Sequence, residues 1–280
     1  MAFIPYFYRN DGSCSLEISS KDDLNREKMN KIVFITGATS GIGRACAFRF
    51  AESGYDVIIA GRRMERLSEV ELALKEKFGA VVFSLGLDVT HRDSVNEAIS
   101  NLPERFQHID VLINNAGLAL GLNPFYEGDP VGWDRMLDTN VKGLLNVSHA
   151  IVQLMIRRGK GHIINIGSIA GREVYAKGNV YCASKAAVDS LTKSMRIELL
   201  PFGIRVTQIA PGAVETEFSL VRFEGDVDKA RAVYDGFEPL RPEDIAEVVH
   251  YTASMPPHVN INDLLIMPTA QAAATQIFRK

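Results

Sequence analysis

Tyr181 and Lys185 stand four residues apart in the segment NVYCASKAAVDSLTK. On a helix, side chains at that spacing share one face. A free phenol, with a pKa near ~10, is a poor base at neutral pH. An ammonium about 5 Å away, at an effective dielectric near 20, favours the phenolate by roughly 3 kcal/mol, or about two pK units. A tyrosine tuned in this way can take an alcohol proton as hydride leaves, or return it to a carbonyl oxygen as hydride arrives. Ser168 closes the apolar run GHIINIGS, where its hydroxyl can hydrogen-bond the reacting oxygen. Asn140, inside a long helical stretch, can bend that helix and hold a water that relays protons to Lys185. Cys182 adjoins Tyr181 but points about 100° around the helix, so it is read as packing.

Proton transfer of this kind needs a hydride carrier, and a second group of residues fits one. The run Thr36-Gly37-Ala38-Thr39-Ser40-Gly41-Ile42-Gly43 follows the apolar KIVFIT. Glycines here permit a tight turn, a close approach of backbone to a pyrophosphate and close helix packing. The next helix then offers free N–H groups to the phosphates. The spacing is GxxxGxG, not the commoner GxGxxG. At the end of the second apolar run, Ala60-Gly61-Arg62-Arg63 stands where an NAD enzyme places an acid for the ribose hydroxyl. Two guanidinium groups suit a 2′-phosphate instead, so NADP is the expected cofactor, with Arg62 the stronger candidate. Asp88-Val89 can accept from the adenine amino group, and Asn114-Asn115-Ala116-Gly117 can let the chain pass close to the cofactor. All of these fall at ends of apolar runs.

Those ends imply an architecture. From Lys31 onward, apolar runs at 31–36, 55–61, 80–88, 110–117, 161–168, 204–212 and 263–269 alternate with amphipathic stretches. The stretches Ile42–Ser53, Arg63–Phe78, His91–Asn101, Trp133–Arg158, Val180–Leu200 and Pro242–Ser254 read as helices. The runs are apolar on both faces, as parallel strands covered by helices on each side must be. The expected fold is α/β: a single-domain, Rossmann-like, doubly wound parallel sheet of about seven strands with helices on both faces. Ligands of such sheets lie beyond the strand C-termini. Residues 1–28 read as an extension outside the fold, 29–280 as the domain, and Met29 as the expected physiological start.

Composition removes other classes. With a net charge of −3 the chain offers no basic field for nucleic acid or an anionic membrane. Three widely spaced cysteines fit a reducing compartment better than a disulfide framework. No two of the six histidines stand three or four residues apart, so no metal site is expected. No run reaches the roughly 18–20 apolar residues of a membrane span, and a cytoplasmic protein is the default reading.

Taken together, TGATSGIG, the Asp88-Val89 pair, NNAG, Asn140, Ser168, Tyr181 with Lys185, and Pro211-Gly212 resemble the short-chain dehydrogenase/reductase family in order and spacing, over about residues 31–270. The resemblance implies a catalytic tetrad of Asn140, Ser168, Tyr181 and Lys185. It implies cofactor contacts from Gly37, Thr39, Ser40, Gly41, Ile42, Gly43, Arg62, Arg63, Asp88, Val89, Asn115, Tyr181, Lys185, Pro211, Gly212, Val214 and Thr216. It also implies that the segment from Pro211 to about Ser219 closes over the nicotinamide. A finer similarity, carried by NNAGLALG, GNVYCASKA, TEFSLVRF and HVNINDLLIMPT, is to the NADP-dependent 3-hydroxy acid dehydrogenases. That likeness implies small 3-hydroxy acids (L-allo-threonine, L-serine, 3-hydroxypropionate) as substrates, and a homotetramer. A substrate carboxylate needs a cation, for which Arg222 is the candidate and Arg172 the runner-up, with Ser168 and Tyr181 completing the pocket. A reductase of bulkier neutral carbonyls or 3-oxoacyl thioesters, and a non-catalytic NADP-binding sensor, are the competing readings.

Overall fold

The computed structural model describes residues 30–280. The proposed extension 1–28, the start at Met29 and Cys14 lie outside them. Seven parallel strands form one sheet in the order β3-β2-β1-β4-β5-β6-β7. They are β1 (Ile32–Thr36), β2 (Asp56–Gly61), β3 (Val82–Gly86), β4 (Ile109–Asn114), β5 (Gly161–Ile166), β6 (Ile204–Pro211) and β7 (Asp263–Ile266). The order reverses between β1 and β4, which creates the crevice where doubly wound sheets bind ligands.

Alternation along β1 shows how one strand serves two cores. Val33 and Ile35 pack on one side of the sheet with α1 (Gly41–Glu52), α2 (Met64–Phe78) and α9 (Pro242–Ser254), through Phe50, Leu67 and Val249 among others. Ile32 and Phe34 pack on the other side with α3 (Arg92–Ser100) and α5 (Leu144–Arg158), through Val95, Ile99, Val147 and Ile151. These β1 side chains are at most 1% exposed, so the sheet is a central layer and its C-terminal edge is held rigidly. At the start of α9, Pro242 occupies the first helical turn and the Asp244 carboxylate accepts the Arg241 N–H at 2.8 Å.

The stretch expected as one helix over Trp133–Arg158 is built differently. It begins earlier, as α4 (Pro130–Leu137), with the Asp129 carboxylate accepting the N–H groups of Val131 and Gly132. Residues Asp138–Gly143 then form a π-helical turn before α5. A π turn carries one extra residue and displaces the side chains it contains, and Asn140 is one of them. The remaining helices are α6 (Asn179–Glu198) and two short ones that the apolar pattern did not foretell, α7 (Glu217–Arg222) and α8 (Val227–Ala232).

Candidate active site

A cleft of about 700 Å³ opens at the C-terminal edge of the sheet. Of the tetrad, cofactor and substrate candidates named above, all but Gly43, Asn140 and Arg172 line it.

The phosphate end is built by the turn between β1 and α1. Gly37 takes φ 65°, a left-handed conformation that a side chain resists. Asn115 clamps this turn, its Nδ2 donating to the carbonyl oxygens of Thr36 at 3.0 Å and Gly37 at 3.1 Å. Gly43 packs helix on turn instead of lining the cleft: a Cβ there would lie 2.4 Å from the Gly37 oxygen. Ser40 at the start of α1 makes no side-chain cap and the first turn carries no acid, so that helix end keeps donors and a positive dipole for an anion.

The arginines change rank. Arg63 reaches into the turn, with Nη2 donating to Thr39 Oγ1 at 2.7 Å and Ser40 Oγ at 3.0 Å. Arg62 is more exposed, at 65% against 46%, and its nearest acid is Asp88 at 4.0 Å. Arg63 is therefore the better-placed of the two, contrary to the order expected from sequence. Asp88 is pushed up by burial, but hydrogen bonds from the Thr90 N–H and hydroxyl, with the Arg62 and His91 charges, hold it below the usual carboxylate range. It remains an acceptor facing the cleft. A dinucleotide with a 2′-phosphate fits these groups: donors from an open helix end and two guanidiniums, and an acceptor in the Asp88 carboxylate.

At the other end, Ser168 follows β5 and its hydroxyl accepts the Ala170 N–H at 3.1 Å. The chain then passes against α6, where a Cβ on Gly171 would meet the Lys185 carbonyl oxygen at 2.6 Å. Only glycine permits that approach, and it brings Ser168 to Tyr181, whose phenol it hydrogen-bonds. Lys185 is 7% exposed, and its Nζ donates to the Ile166 oxygen at 2.9 Å.

Asn140 acts at one remove. Its Oδ1 accepts the Leu118 N–H at 2.8 Å, and its Nδ2 donates to the Leu118 oxygen at 2.8 Å and Ser184 Oγ at 3.0 Å. Ser184 in turn donates to the Tyr181 carbonyl oxygen at 2.8 Å. Both side-chain donors are used, so a relay water here would donate to an Asn140 oxygen. The residue ties the loop after β4 to the helix that carries Tyr181. It is a positioning residue.

The tyrosine's electrostatics also depart from expectation. Burial pushes the Tyr181 phenol well above its ordinary range; the Ser168 hydrogen bond and the Arg222 guanidinium pull it only part of the way back. The cation seen to oppose the burial is Arg222. Burial brings the Lys185 ammonium down to about 8, which leaves it mostly charged at neutral pH. Without a bound ligand the phenol is thus protonated at neutral pH and poised to donate.

Arg222 lies in the cleft, its guanidinium 5.7 Å from the ring centres of both Tyr175 and Tyr181. Nε donates to the Gly121 oxygen and Nη2 to the Tyr175 hydroxyl, each at 3.2 Å, and neither partner carries a charge. Arg172, the runner-up, pairs with Asp263 and does not line the cleft. Cys182 is 2% exposed, consistent with packing. The segment after β6 lines the cleft: Thr216 caps α7 by accepting the Phe218 N–H at 3.1 Å, and the Phe218 ring centre lies 5.6 Å from that of Tyr181. Sequence reasoning missed Tyr175, Phe218 and Gln271. The last of these accepts the Ala213 N–H at 2.8 Å from a C-terminal segment with no periodic signal.

Among the described residues, no helix is long and apolar enough to cross a membrane, and no group of three or more His, Cys, Asp or Glu is placed to hold a metal ion.

Residues 31–225 match the short chain dehydrogenase family. Sulfoacetaldehyde reductase 2 of Chromohalobacter salexigens is 48% identical over 245 residues, covering 87% of this chain and 96% of that protein. NADP-dependent 3-hydroxy acid dehydrogenase YdfG of Salmonella typhi is 48% identical over 244 residues, covering 87% and 97%. Among solved structures, the closed form of serine dehydrogenase complexed with NADP+ superposes with a TM-score of 0.83 at 44% identity, covering 89% of this chain and 99% of that one.

Proposed function

Because this chain belongs to the short-chain dehydrogenase family, we propose that its cleft uses NADP(H) to interconvert small 3-hydroxy acids and the corresponding 3-oxo acids or semialdehydes. The observation that carries the reading is the pairing, in one cleft, of a proton-donating Tyr181 with an Arg222 that no carboxylate among the described residues neutralises. Relatives named for 3-hydroxy acids, for serine and for sulfoacetaldehyde act on small substrates; the last of these carries a sulfonate.

When bound, the nicotinamide supplies or accepts the hydride. Every other part of the step falls to side chains. In reduction, Tyr181 gives its phenolic proton to the substrate oxygen while Ser168 hydrogen-bonds the same oxygen as charge develops. Lys185 spends one of its three donors on Ile166, leaving two for the cleft, where its charge favours the phenolate that remains. In oxidation the phenolate must form first. Since burial disfavours it, the oxidation rate rises with pH, whereas reduction uses the phenol in its resting form. Arg63 with Arg62, and the open end of α1, hold the cofactor phosphates.

Arg222 fixes the substrate carboxylate. Its replacement by Ala is expected to raise the KM for 3-hydroxypropionate and L-serine about tenfold or more, the share of one charge-assisted hydrogen bond. The KM of a neutral alcohol is expected to stay unchanged, while its oxidation moves to higher pH because Tyr181 loses a nearby cation. Unaltered KM values for both acids in steady-state assays would remove Arg222 from the role. A cytoplasmic homotetramer belongs to the same proposal; Ile197 and Leu200, both at least 74% exposed near the end of α6, are apolar surface that subunits would cover. Sedimentation at the mass of one chain would remove that part.

A further inference from the structure

The segment that lines the cleft after β6 begins with a carboxylate placed on the arginines. Glu217 Oε2 accepts from Arg63 Nη1 at 3.1 Å, and its Oε1 accepts from Arg66 Nη1 at 2.6 Å. Arg63 precedes α2 and Arg66 lies in its first turn, and both guanidiniums reach the one carboxylate. Each oxygen of the carboxylate takes one cation. Behind them a second cavity of about 300 Å³, lined by Thr39, Ser40, Arg44, Arg66 and Glu217, adjoins the phosphate turn. The main cleft shares Thr39, Ser40 and Glu217 with it.

We propose that Glu217 is an internal counter-anion that competes with the cofactor's 2′-phosphate for Arg63 and Arg66, so that Arg66 is a third arginine of the phosphate site and Glu217 sets how tightly NADP is held. The inference rests on the NADP reading above. A phosphate dianion and a carboxylate cannot share two guanidiniums without like-charge repulsion, and Nη2 of Arg63 is already committed to Thr39 and Ser40. NADP must therefore displace Glu217, while NAD, lacking the phosphate, leaves it in place. Because Glu217 sits in the first turn of α7, its displacement also releases the start of this segment from α2. Burial pushes the Glu217 carboxyl up, but hydrogen bonds from Arg66 and Arg63 hold it below its usual range, so it competes as an anion at neutral pH. All three side chains are 39–47% exposed, which keeps the competition modest.

Isothermal titration of NADP+ and NAD+ into the wild-type protein, Glu217→Gln and Arg66→Ala tests the idea without relying on turnover. Glu217→Gln is expected to lower the NADP+ Kd about three- to tenfold, in line with removing a partly screened charge, and to leave the NAD+ Kd unchanged. Arg66→Ala is expected to raise the NADP+ Kd alone. An NADP+ Kd that stays equal or rises in Glu217→Gln overturns the competition, and an unchanged one in Arg66→Ala overturns that arginine's membership. Equal wild-type affinity for NADP+ and NAD+ overturns the cofactor reading itself, and the competition with it.

Discussion

Replacing Tyr181 by Phe is expected to lower kcat for hydroxy-acid oxidation about 10³-fold while leaving NADP+ binding within about twofold of wild type. Removing a general acid–base group costs 10²–10⁴-fold, and 10³ corresponds to about 4 kcal/mol of barrier. The ring itself is kept, so its contacts with Phe218 and with the Arg222 guanidinium survive. The lost atom is the hydroxyl that Ser168 hydrogen-bonds. Steady-state rates alongside cofactor titration separate chemistry from binding. Retention of wild-type kcat would mean that another group moves the proton, and the proposed mechanism would fail.

The second large effect concerns cofactor choice. Arg62→Ala combined with Arg63→Ala is expected to raise the KM for NADP+ about ten- to twentyfold and to leave that for NAD+ nearly constant. A charge-assisted hydrogen bond contributes about 1.5–3 kcal/mol, and the exposure of both guanidiniums places them at the low end of that range. Most of the loss is expected from Arg63, which is tied to Thr39 and Ser40 at the phosphate turn, and little from Arg62. Steady-state kinetics of the double and single variants with both cofactors measures this. Equal losses for NADP+ and NAD+ would assign the arginines to the fold, not to the phosphate.

Strand-forming runs such as KIVFIT were legible because both faces of the central strands are buried, and that leaves an unbroken apolar signature. The ends of those runs then located the phosphate turn and Ser168. What escaped detection depends on contacts distant in sequence or on small irregularities. The π turn at Asp138–Gly143 adds one residue per turn within a stretch that keeps helical character, so periodicity reads straight through it. The spacing of Tyr181 and Lys185 revealed a shared helix face. It could not reveal that both are buried, which moves the two groups in opposite directions, the phenol up and the ammonium down. The Glu217 ion pairs join segments more than 150 residues apart, beyond the reach of any local pattern. Sequence ranked Arg222 above Arg172 by position alone; the Asp263 that occupies Arg172 lies 91 residues away.

The central claim is that a phenol and an unneutralised guanidinium act together on small anionic carbonyl compounds with NADPH. Following NADPH absorbance while the protein is offered malonate semialdehyde or propanal compares two aldehydes of equal length that differ in a carboxylate. A kcat/KM at least about tenfold higher for the semialdehyde, with NADPH preferred over NADH, is the predicted result. Equal or faster reduction of propanal, or a preference for NADH, would contradict it.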